Sequence, residues 1–247
     1  MNRTLEHILP RVQKPARYTG GEYNAVVKDR RAVDVRYALC FPDTYEIGMS
    51  NLGVRILYGL MNEMDGVWCE RVFAPWGDME EEMRREGIPL YGLESGDSIA
   101  DFDLIGFSLG YEMAYTNVLN MLDLAGLPLR SGERTELSPI VVAGGTCAFN
   151  PEPLAPFVDL FVLGEGEDVS VEIIQLYRQA REEGWGKEEF LTAAARIPGV
   201  YVPSLYEVSY HGDGTVAAVT PLEGAPARVT KRIVQENLDR APMYSGL

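Results

Sequence analysis

The residues with the clearest chemical potential stand in short loops that follow apolar runs. One loop reads GEGED and places two carboxylates, Glu165 and Glu167, on either side of Gly166, directly after the run VDLFVLG. Backbone amides at such a turn commonly bind an anion. Acidic side chains here satisfy free amides and the positive end of the following helix instead. The loop is therefore predicted not to hold a nucleotide phosphate.

Three further loops carry candidate binding residues, each with an ordinary structural alternative. Asp43 in FPDTYEIG either orients a ligand or forms a turn after proline. Ser108, at the end of DFDLIGFSL, either donates its hydroxyl to a ligand or caps the next helix. The glycine pair that begins at Gly144 allows either close ligand approach or a tight turn. The full set of candidate binding residues is Asp43, Tyr45, Gly48, Ser108, Leu109, Gly144, Gly145, Glu165, Gly166 and Glu167.

The sequence carries no complete catalytic or metal-binding motif. There is no Walker loop, no G-x-G-x-x-G and no Ser/His/Asp arrangement. Three cysteines without a CxxC pair argue against a disulfide framework or a zinc site. Cys147 has no histidine or cysteine partner at a useful spacing, which argues against a catalytic thiolate. We therefore expect no catalytic residue and no metal ligand in this chain.

Apolar runs alternate with helical periodicity along most of the chain. This alternation predicts an α/β fold with a doubly wound, mostly parallel sheet, because parallel strands need crossover connections that cover both sheet faces. Ligands of such folds bind at the carboxyl ends of the strands, where the candidate loops lie. Strands are predicted at 33–42, 67–75, 101–109, 138–145 and 158–164, and the main helices at 51–64, 111–126 and from about 168 onward.

The chain divides into three predicted parts. Residues 1–32 read as an N-terminal arm that packs on the sheet domain, and residues 33–184 form that domain. Residues 185–247 contain a short helix, a β-hairpin around the turn GDG and a linker. Because the last residues end without a cap or a completed core element, we expect the chain to be a piece of a longer protein.

Composition narrows the classes of partner. With 22 basic and 37 acidic residues the net charge is −15, which argues against general affinity for nucleic acid or anionic lipid. The N-terminal residues resemble neither a signal peptide nor a membrane span, so a cytoplasmic location is the default expectation. The sequence contains no signal for oligomeric state.

Seven segments together resemble a known family. They are PARYTGGEYN, FPDTYEIGMSNLG, ERVFAPWGDME, FDLIGFSLGYEMAYTNVLNMLDLAG, VVAGG, NPEPLAPFVD and GEGE. The series resembles the N-terminal region of a family of large radical S-adenosylmethionine (radical SAM) proteins and spans nearly the whole chain. The resemblance implies a cobalamin-binding-like domain that is covalently linked to a radical SAM domain. S-adenosylmethionine and a 4Fe-4S cluster on a CxxxCxxC motif are expected only in that following domain.

One departure from the cobalamin-binding pattern bears on how a cofactor would bind. Where methionine-synthase-type domains have D-x-H-x-x-G, this chain reads Asp43-Thr44-Tyr45-Glu46-Ile47-Gly48. A phenol with an ordinary pKa of about 10 is a poor cobalt ligand at neutral pH. The resemblance therefore implies cobalamin without a histidine ligand, its corrin over the strand ends near Tyr45. The nucleotide tail would run past Ser108 and the glycine pair.

Two readings of the function stay open at this point. The first is a cobalamin-binding-like accessory domain of a radical SAM enzyme, in which Glu165 or Glu167 accepts hydrogen bonds from the corrin amides or from the catalytic domain. The alternative is a flavodoxin-like docking or interaction module without a cofactor. Neither reading identifies a substrate, because the fold locates a site without choosing a reaction.

Overall fold

The structure, a computed structural model, describes residues 3–233, with side chains from Leu5 onward. Its centre is a six-stranded sheet, and a separate two-stranded hairpin lies near the C-terminal end of the described residues. The strands are β1 (Val35–Phe41), β2 (Val67–Phe73), β3 (Leu104–Ser108), β4 (Ile140–Gly144), β5 (Leu160–Val162), β6 (Val200–Tyr201), β7 (Tyr206–Tyr210) and β8 (Val216–Pro221). The helices are α1 (Arg3–Ile8), α2 (Tyr45–Ser50), α3 (Leu52–Glu63), α4 (Gly77–Glu86), α5 (Tyr115–Leu124), α6 (Glu167–Glu183) and α7 (Lys187–Ala194).

The strand order of the large sheet is β2-β1-β3-β4-β5-β6. The first five strands run parallel, and β6 pairs antiparallel with β5. The order reverses between β1 and β3, which makes their carboxyl ends the switch point where ligands of open α/β sheets bind. The predicted mostly parallel, doubly wound α/β fold is confirmed.

Helices cover both faces of the sheet, so its central strands are buried on both sides. Every residue of β1 and β2 is buried, including the polar ones. Alternate strand residues point into two separate apolar clusters, as the two-residue period of a strand requires. One cluster packs under α1, α4 and α5, and the other under α3, α6 and α7.

The helices that flank the candidate site have clear local signals. Asn51 precedes α3, and its side-chain oxygen accepts a hydrogen bond from the Val54 amide at 3.1 Å. The helix α6 ends on Gly184, whose φ of 72° is the left-handed conformation that glycine adopts without strain. The helix α5 begins later than predicted, at Tyr115, because a 3₁₀ turn occupies Glu112–Ala114.

Residues after α6 extend the same core before the hairpin begins. The helix α7 packs against the α6 cluster, and β6 joins the edge of the large sheet. The predicted hairpin is present as β7 and β8. The predicted boundary at residue 184 thus falls at a helix end, with residues 187–202 packed onto the sheet domain. Within residues 3–233, no helix is long and apolar enough to cross a membrane.

Candidate functional site

A cavity of about 250 Å³ opens beside the carboxyl ends of the parallel strands. It lies between the sheet and the helices α3 and α6, with apolar walls that include Leu39, Leu57, Val142, Val162 and Ile173. Six of the ten predicted site residues line it: Ser108, Gly144, Gly145, Glu165, Gly166 and Glu167. The fold therefore brings the loops after β3, β4 and β5 together around one slot.

The inner part of this slot is formed by a tyrosine that lies across a glycine. A Cβ built on Gly106, in the middle of β3, would stand 2.0 Å from the Tyr37 hydroxyl oxygen. Only glycine at this position leaves room for the phenol ring of the neighbouring strand. Tyr37 and Gly106 both line the cavity, and Tyr37 is 5% exposed.

Three hydroxyl groups line the apolar slot: those of Tyr37, Ser108 and Ser170. Within residues 5–233, none of the three hydroxyls forms a hydrogen bond to another protein group. Ser108 does not cap the helix that follows, since a 3₁₀ turn lies between it and α5. Hydroxyls that face a cavity without a protein partner are available to a bound ligand or to water.

The charge around the slot is acidic. None of the described residues that line the slot is basic, whereas two acidic residues, Glu165 and Glu167, line it. A site for a nucleoside triphosphate or another polyanion would need cations or free amides at this position. The described lining of the slot is therefore poorly suited to a polyanion.

The glycine pair after β4 shapes the mouth of the slot. Gly145 has a φ of 97°, and a Cβ on it would stand 2.7 Å from the Leu109 carbonyl oxygen. The Leu109 amide donates to the Gly144 carbonyl at 2.7 Å. Leu109 itself is fully buried in the opposite apolar cluster, so it supports this turn rather than lining the slot.

The acidic turn after β5 is completed by a distant part of the chain. The Glu165 amide donates to the Arg232 carbonyl at 3.1 Å, and the Arg232 amide donates to the Leu163 carbonyl at 2.7 Å. A Cβ on Gly164, whose φ is 109°, would stand 2.1 Å from that Arg232 oxygen. The Arg232 guanidinium donates to Glu172 on α6. The backbone amide of Glu165 is thus hydrogen-bonded within the chain and is not available to an anion.

The structure places Asp43, Tyr45 and Gly48 outside the slot. The Tyr111 hydroxyl donates to the Asp43 carboxylate. Gly48 is buried against Phe73, whose ring would stand 2.1 Å from an added Cβ. These two residues therefore shape and brace the loop after β1, and the fold does not bring them to the cavity walls.

Tyr45 belongs to a charged network that anchors the N-terminal arm. Its hydroxyl donates to Glu22 at 2.6 Å, and Glu22 also accepts from Arg71 at 2.6 Å. Burial and the Glu22 contact raise the pKa of Tyr45 to about 12, so the phenol is neutral at pH 7. The Arg71 guanidinium, fully buried, also pairs with the fully buried Glu94 at 2.6 Å. Burial raises the pKa of Glu94 although Arg71 opposes the shift.

A second cavity, of about 620 Å³, lies beside α7 and β6. Several of its charged groups are paired: Asp159 accepts from Lys187 at 2.8 Å and from Arg134 at 3.2 Å. The Tyr201 hydroxyl donates to Glu152 at 2.6 Å. This network stabilises the sheet edge. In the described part of the chain, no three His, Cys, Asp or Glu residues are placed to hold a metal ion.

The loops around the slot expose several large apolar side chains to solvent. Met113 is 85% exposed and Phe149 is 56% exposed, in the loops after β3 and β4. Ile47 and Trp76, in the loops after β1 and β2, are about half exposed. An exposed apolar patch around a cavity mouth is typical of an interaction surface.

Among the slot residues that sequence reasoning missed are Tyr37, Gly106 and Ser170. Tyr37 and Gly106 stand inside apolar runs that read as plain strands, and Ser170 stands inside a helical pattern. The one local signal was glycine within a strand, which often marks a close approach of another group. That Tyr37 is the group which approaches Gly106 could not be predicted without the register between β1 and β3.

Comparisons with known proteins identify a matching family and related proteins. The family model for the N-terminal part of radical SAM proteins matches residues 53–203. Over 140 residues the chain is 28% identical to an uncharacterized protein of Methanocaldococcus jannaschii. The aligned residues make up 56% of this chain and 26% of that protein. A solved structure of the radical S-adenosylmethionine methyltransferase TsrM from Kitasatospora setae, with tryptophan substrate and a SAM analogue bound, matches with a TM-score of 0.40 and 16% identity. That match covers 79% of this chain and 31% of the methyltransferase.

The chain thus spans about a quarter of the length of the curated relative that it matches. The family match covers more than half of the chain and includes β2 to β6 together with every helix from α4 to α7. The chain belongs to the family of N-terminal regions of radical SAM proteins.

Proposed function

We propose that this chain is the cobamide-binding accessory domain of a radical SAM enzyme. The observation that carries the proposal is the slot itself, an apolar cavity at the carboxyl ends of β3, β4 and β5. Hydroxyls without a protein partner line it, and none of its described lining residues is basic. Its volume of about 250 Å³ suits the flat heteroaromatic base of a cobamide nucleotide tail better than the whole corrin ring.

The residues fit such a tail in a defined way. The apolar walls from α3, α6 and the sheet would hold the base, and Ser108 with the turn at Gly144–Gly145 would meet the sugar and its single phosphodiester. The corrin would then lie over the exposed loops of the rim. Glu165 and Glu167, at the mouth, would accept hydrogen bonds from the amide groups at the corrin edge.

The cobalt would receive no ligand from Tyr45. Its hydroxyl donates to Glu22, and its pKa is raised to about 12. A cobamide bound here would therefore lack a protein ligand from that loop. When bound, a cobamide supplies alkyl-transfer chemistry at cobalt; this chain's part is to bind and orient it and to shield its tail from water.

The radical chemistry would belong to a covalently linked domain with S-adenosylmethionine and a 4Fe-4S cluster. The exposed apolar side chains of the rim, among them Trp76, Met113 and Phe149, support a partner domain covering the cofactor face. The domain boundaries proposed for the chain are an arm at 1–32, the cobamide domain at 33–184 and a connecting segment at 185–247.

Two glycines at helix starts provide a test with a matched control. Gly53 is exposed in the first turn of α3 and lines the slot. Gly77 is exposed in the first turn of α4, where an added Cβ meets nothing. Phenylalanine at either position avoids burying new atoms in the core. Only Gly53→Phe places a ring at the slot mouth.

The purified chain and both variants are incubated with hydroxocobalamin, desalted and measured by absorbance. We expect the unmodified chain and Gly77→Phe to retain the corrinoid and Gly53→Phe to lose it, with unchanged circular dichroism. A folded, colourless unmodified chain would contradict the proposal and favour the docking module without a cofactor. Equal retention by all three proteins would place the corrinoid elsewhere.

A further inference from the structure

The Tyr37 hydroxyl is a buried polar group that the proposed cobamide site does not yet explain. Tyr37 is 5% exposed, and no hydrogen bond to its hydroxyl is formed within residues 5–233. Its ring is held over Gly106 by the strand register, in which Tyr37 pairs with Leu104. Because this hydroxyl faces the slot and has no protein partner, a ligand in the slot can accept or donate a hydrogen bond there.

The hydroxyl lies at the inner end of the slot. Gly106 precedes Ser108, the last residue of β3, by two positions, and two residues of a strand span about 7 Å. Ser108 and Gly144 pair with each other at the mouth of the slot. A flat bicyclic base entering from the mouth would therefore bring the edge remote from its sugar toward Tyr37.

The chemistry of that remote edge differs between cobamides. In a dimethylbenzimidazole it carries two methyl groups, which leave a facing hydroxyl unpaired. In a purine the corresponding ring contains nitrogens that accept hydrogen bonds. A site that buries a hydrogen-bonding group discriminates strongly against an analogue without the matching atom.

We propose that Tyr37 is a specificity-determining residue that selects cobamides whose lower base is a purine, through a hydrogen bond from its hydroxyl to a ring nitrogen. This inference rests on the proposed cobamide function of the slot. It adds the class of ligand and a binding residue from the middle of β1.

The test measures the affinity of the full chain for three corrinoids: adeninyl cobamide, cobalamin with its dimethylbenzimidazole base, and cobinamide, which lacks a base. Each is titrated by absorbance against the unmodified chain and Tyr37→Phe. Tyr91→Phe is the matched control, because Tyr91 is also buried but donates to the Tyr18 carbonyl in the opposite cluster.

We expect the unmodified chain and the Tyr91→Phe control to prefer adeninyl cobamide over cobalamin by about tenfold, the size of one buried hydrogen bond. In Tyr37→Phe the preference disappears, and cobinamide binds all proteins alike. If the unmodified chain binds adeninyl cobamide and cobalamin equally, or if Tyr37→Phe keeps the preference, the role of Tyr37 is wrong and the cobamide site stands. If no corrinoid binds the unmodified chain, both proposals are wrong.

Discussion

The two faces of the central sheet are built from the same strands and yet differ in how completely they are packed. The face under α4 and α5 is filled, and the cavity near Met79 and Tyr18 has a volume of about 20 Å³. The face under α3 and α6 contains the slot of about 250 Å³. A cleft of that size between a sheet and its helices leaves room for a ligand, whereas interiors otherwise pack at the density of organic crystals.

The difference arises from side chains that share one strand. In β3, Ile105 and Phe107 point to the filled face, whereas Leu104 and Gly106 point to the other. Glycine at position 106 leaves space that the Tyr37 ring occupies only in part. The filled face thus stabilises the fold, and the open face is available for a ligand at a cost in packing.

The largest expected effect comes from truncating one side chain on each face. Met121→Ala, in the fully buried part of α5, should lower the free energy of unfolding by about 2–5 kcal/mol. Leu57→Ala should cost less than half as much, because Leu57 already borders a cavity and loses fewer contacts. Urea denaturation measures the loss in free energy of unfolding for both variants, provided that their m-values are equal. Equal losses would mean that the two faces are packed alike.

A second prediction concerns the contact that shapes the slot. Gly106→Ala should destabilise the chain by about 1–3 kcal/mol, because the new Cβ would overlap the Tyr37 hydroxyl. In a Tyr37→Leu background the same change should cost much less, since leucine lacks the atoms that clash. A double-mutant cycle by thermal and urea unfolding measures the coupling. Additive effects would contradict the contact.

A third prediction compares two buried tyrosines, one on each face. In the ligand-free chain Tyr37→Phe should change the free energy of unfolding by less than about 0.5 kcal/mol, because its hydroxyl faces the slot and has no protein partner to lose. Tyr91→Phe should lower it by about 1 kcal/mol, because its hydroxyl donates to the Tyr18 carbonyl at 2.9 Å. Chemical denaturation under identical conditions measures this difference. A loss of stability in Tyr37→Phe would indicate that its hydroxyl is paired.

The smallest expected effect concerns the arm, which contributes Arg17 and Tyr18 to the filled face. A hydrogen bond from Arg17 lowers the pKa of Glu46 to about 2 from its ordinary 4.5. A lowered carboxyl pKa stabilises the folded state above pH 4.5, and that contribution is lost as the pH falls through about 2. Because the Glu46 side chain is 42% exposed, the contribution is about 0.5 kcal/mol. Glu46→Gln should flatten this part of the pH dependence of stability, and an unchanged profile would contradict the contact.

Local patterns predicted the larger elements well. The helix α3 occupies 52–63 against a predicted 51–64, and β3 and β4 fall inside their predicted ranges. The two-residue strand β6 was missed, because so short a strand has no periodicity to detect. Gly164 lies against Arg232, sixty-eight positions later in the chain, and no local pattern indicates this contact.

In the candidate site, too, local patterns predicted some residue positions correctly, and contacts between distant residues decided the others. The loops after β3, β4 and β5 were predicted to meet because the carboxyl ends of parallel strands share one edge, and Ser108, Gly144 and Glu165 do line one cavity. Asp43 and Tyr45 follow β1 at the same edge, but Asp43 contacts the loop after β3 and Tyr45 contacts the arm. Their partners Tyr111 and Glu22 lie far away in sequence, so local reasoning could not place them.

By itself the sequence determined the class of fold, the edge of the sheet at which the candidate loops lie, and the acidic character of the turn after β5, since alternation, strand direction and charge are local properties. The tertiary structure decided the rest. Register across strands placed the Tyr37 hydroxyl over Gly106, and the return of the chain at Arg232 occupied the Glu165 amide. Both are contacts between residues far apart in sequence, and their geometry follows from how the strands are aligned and packed, which no single segment specifies.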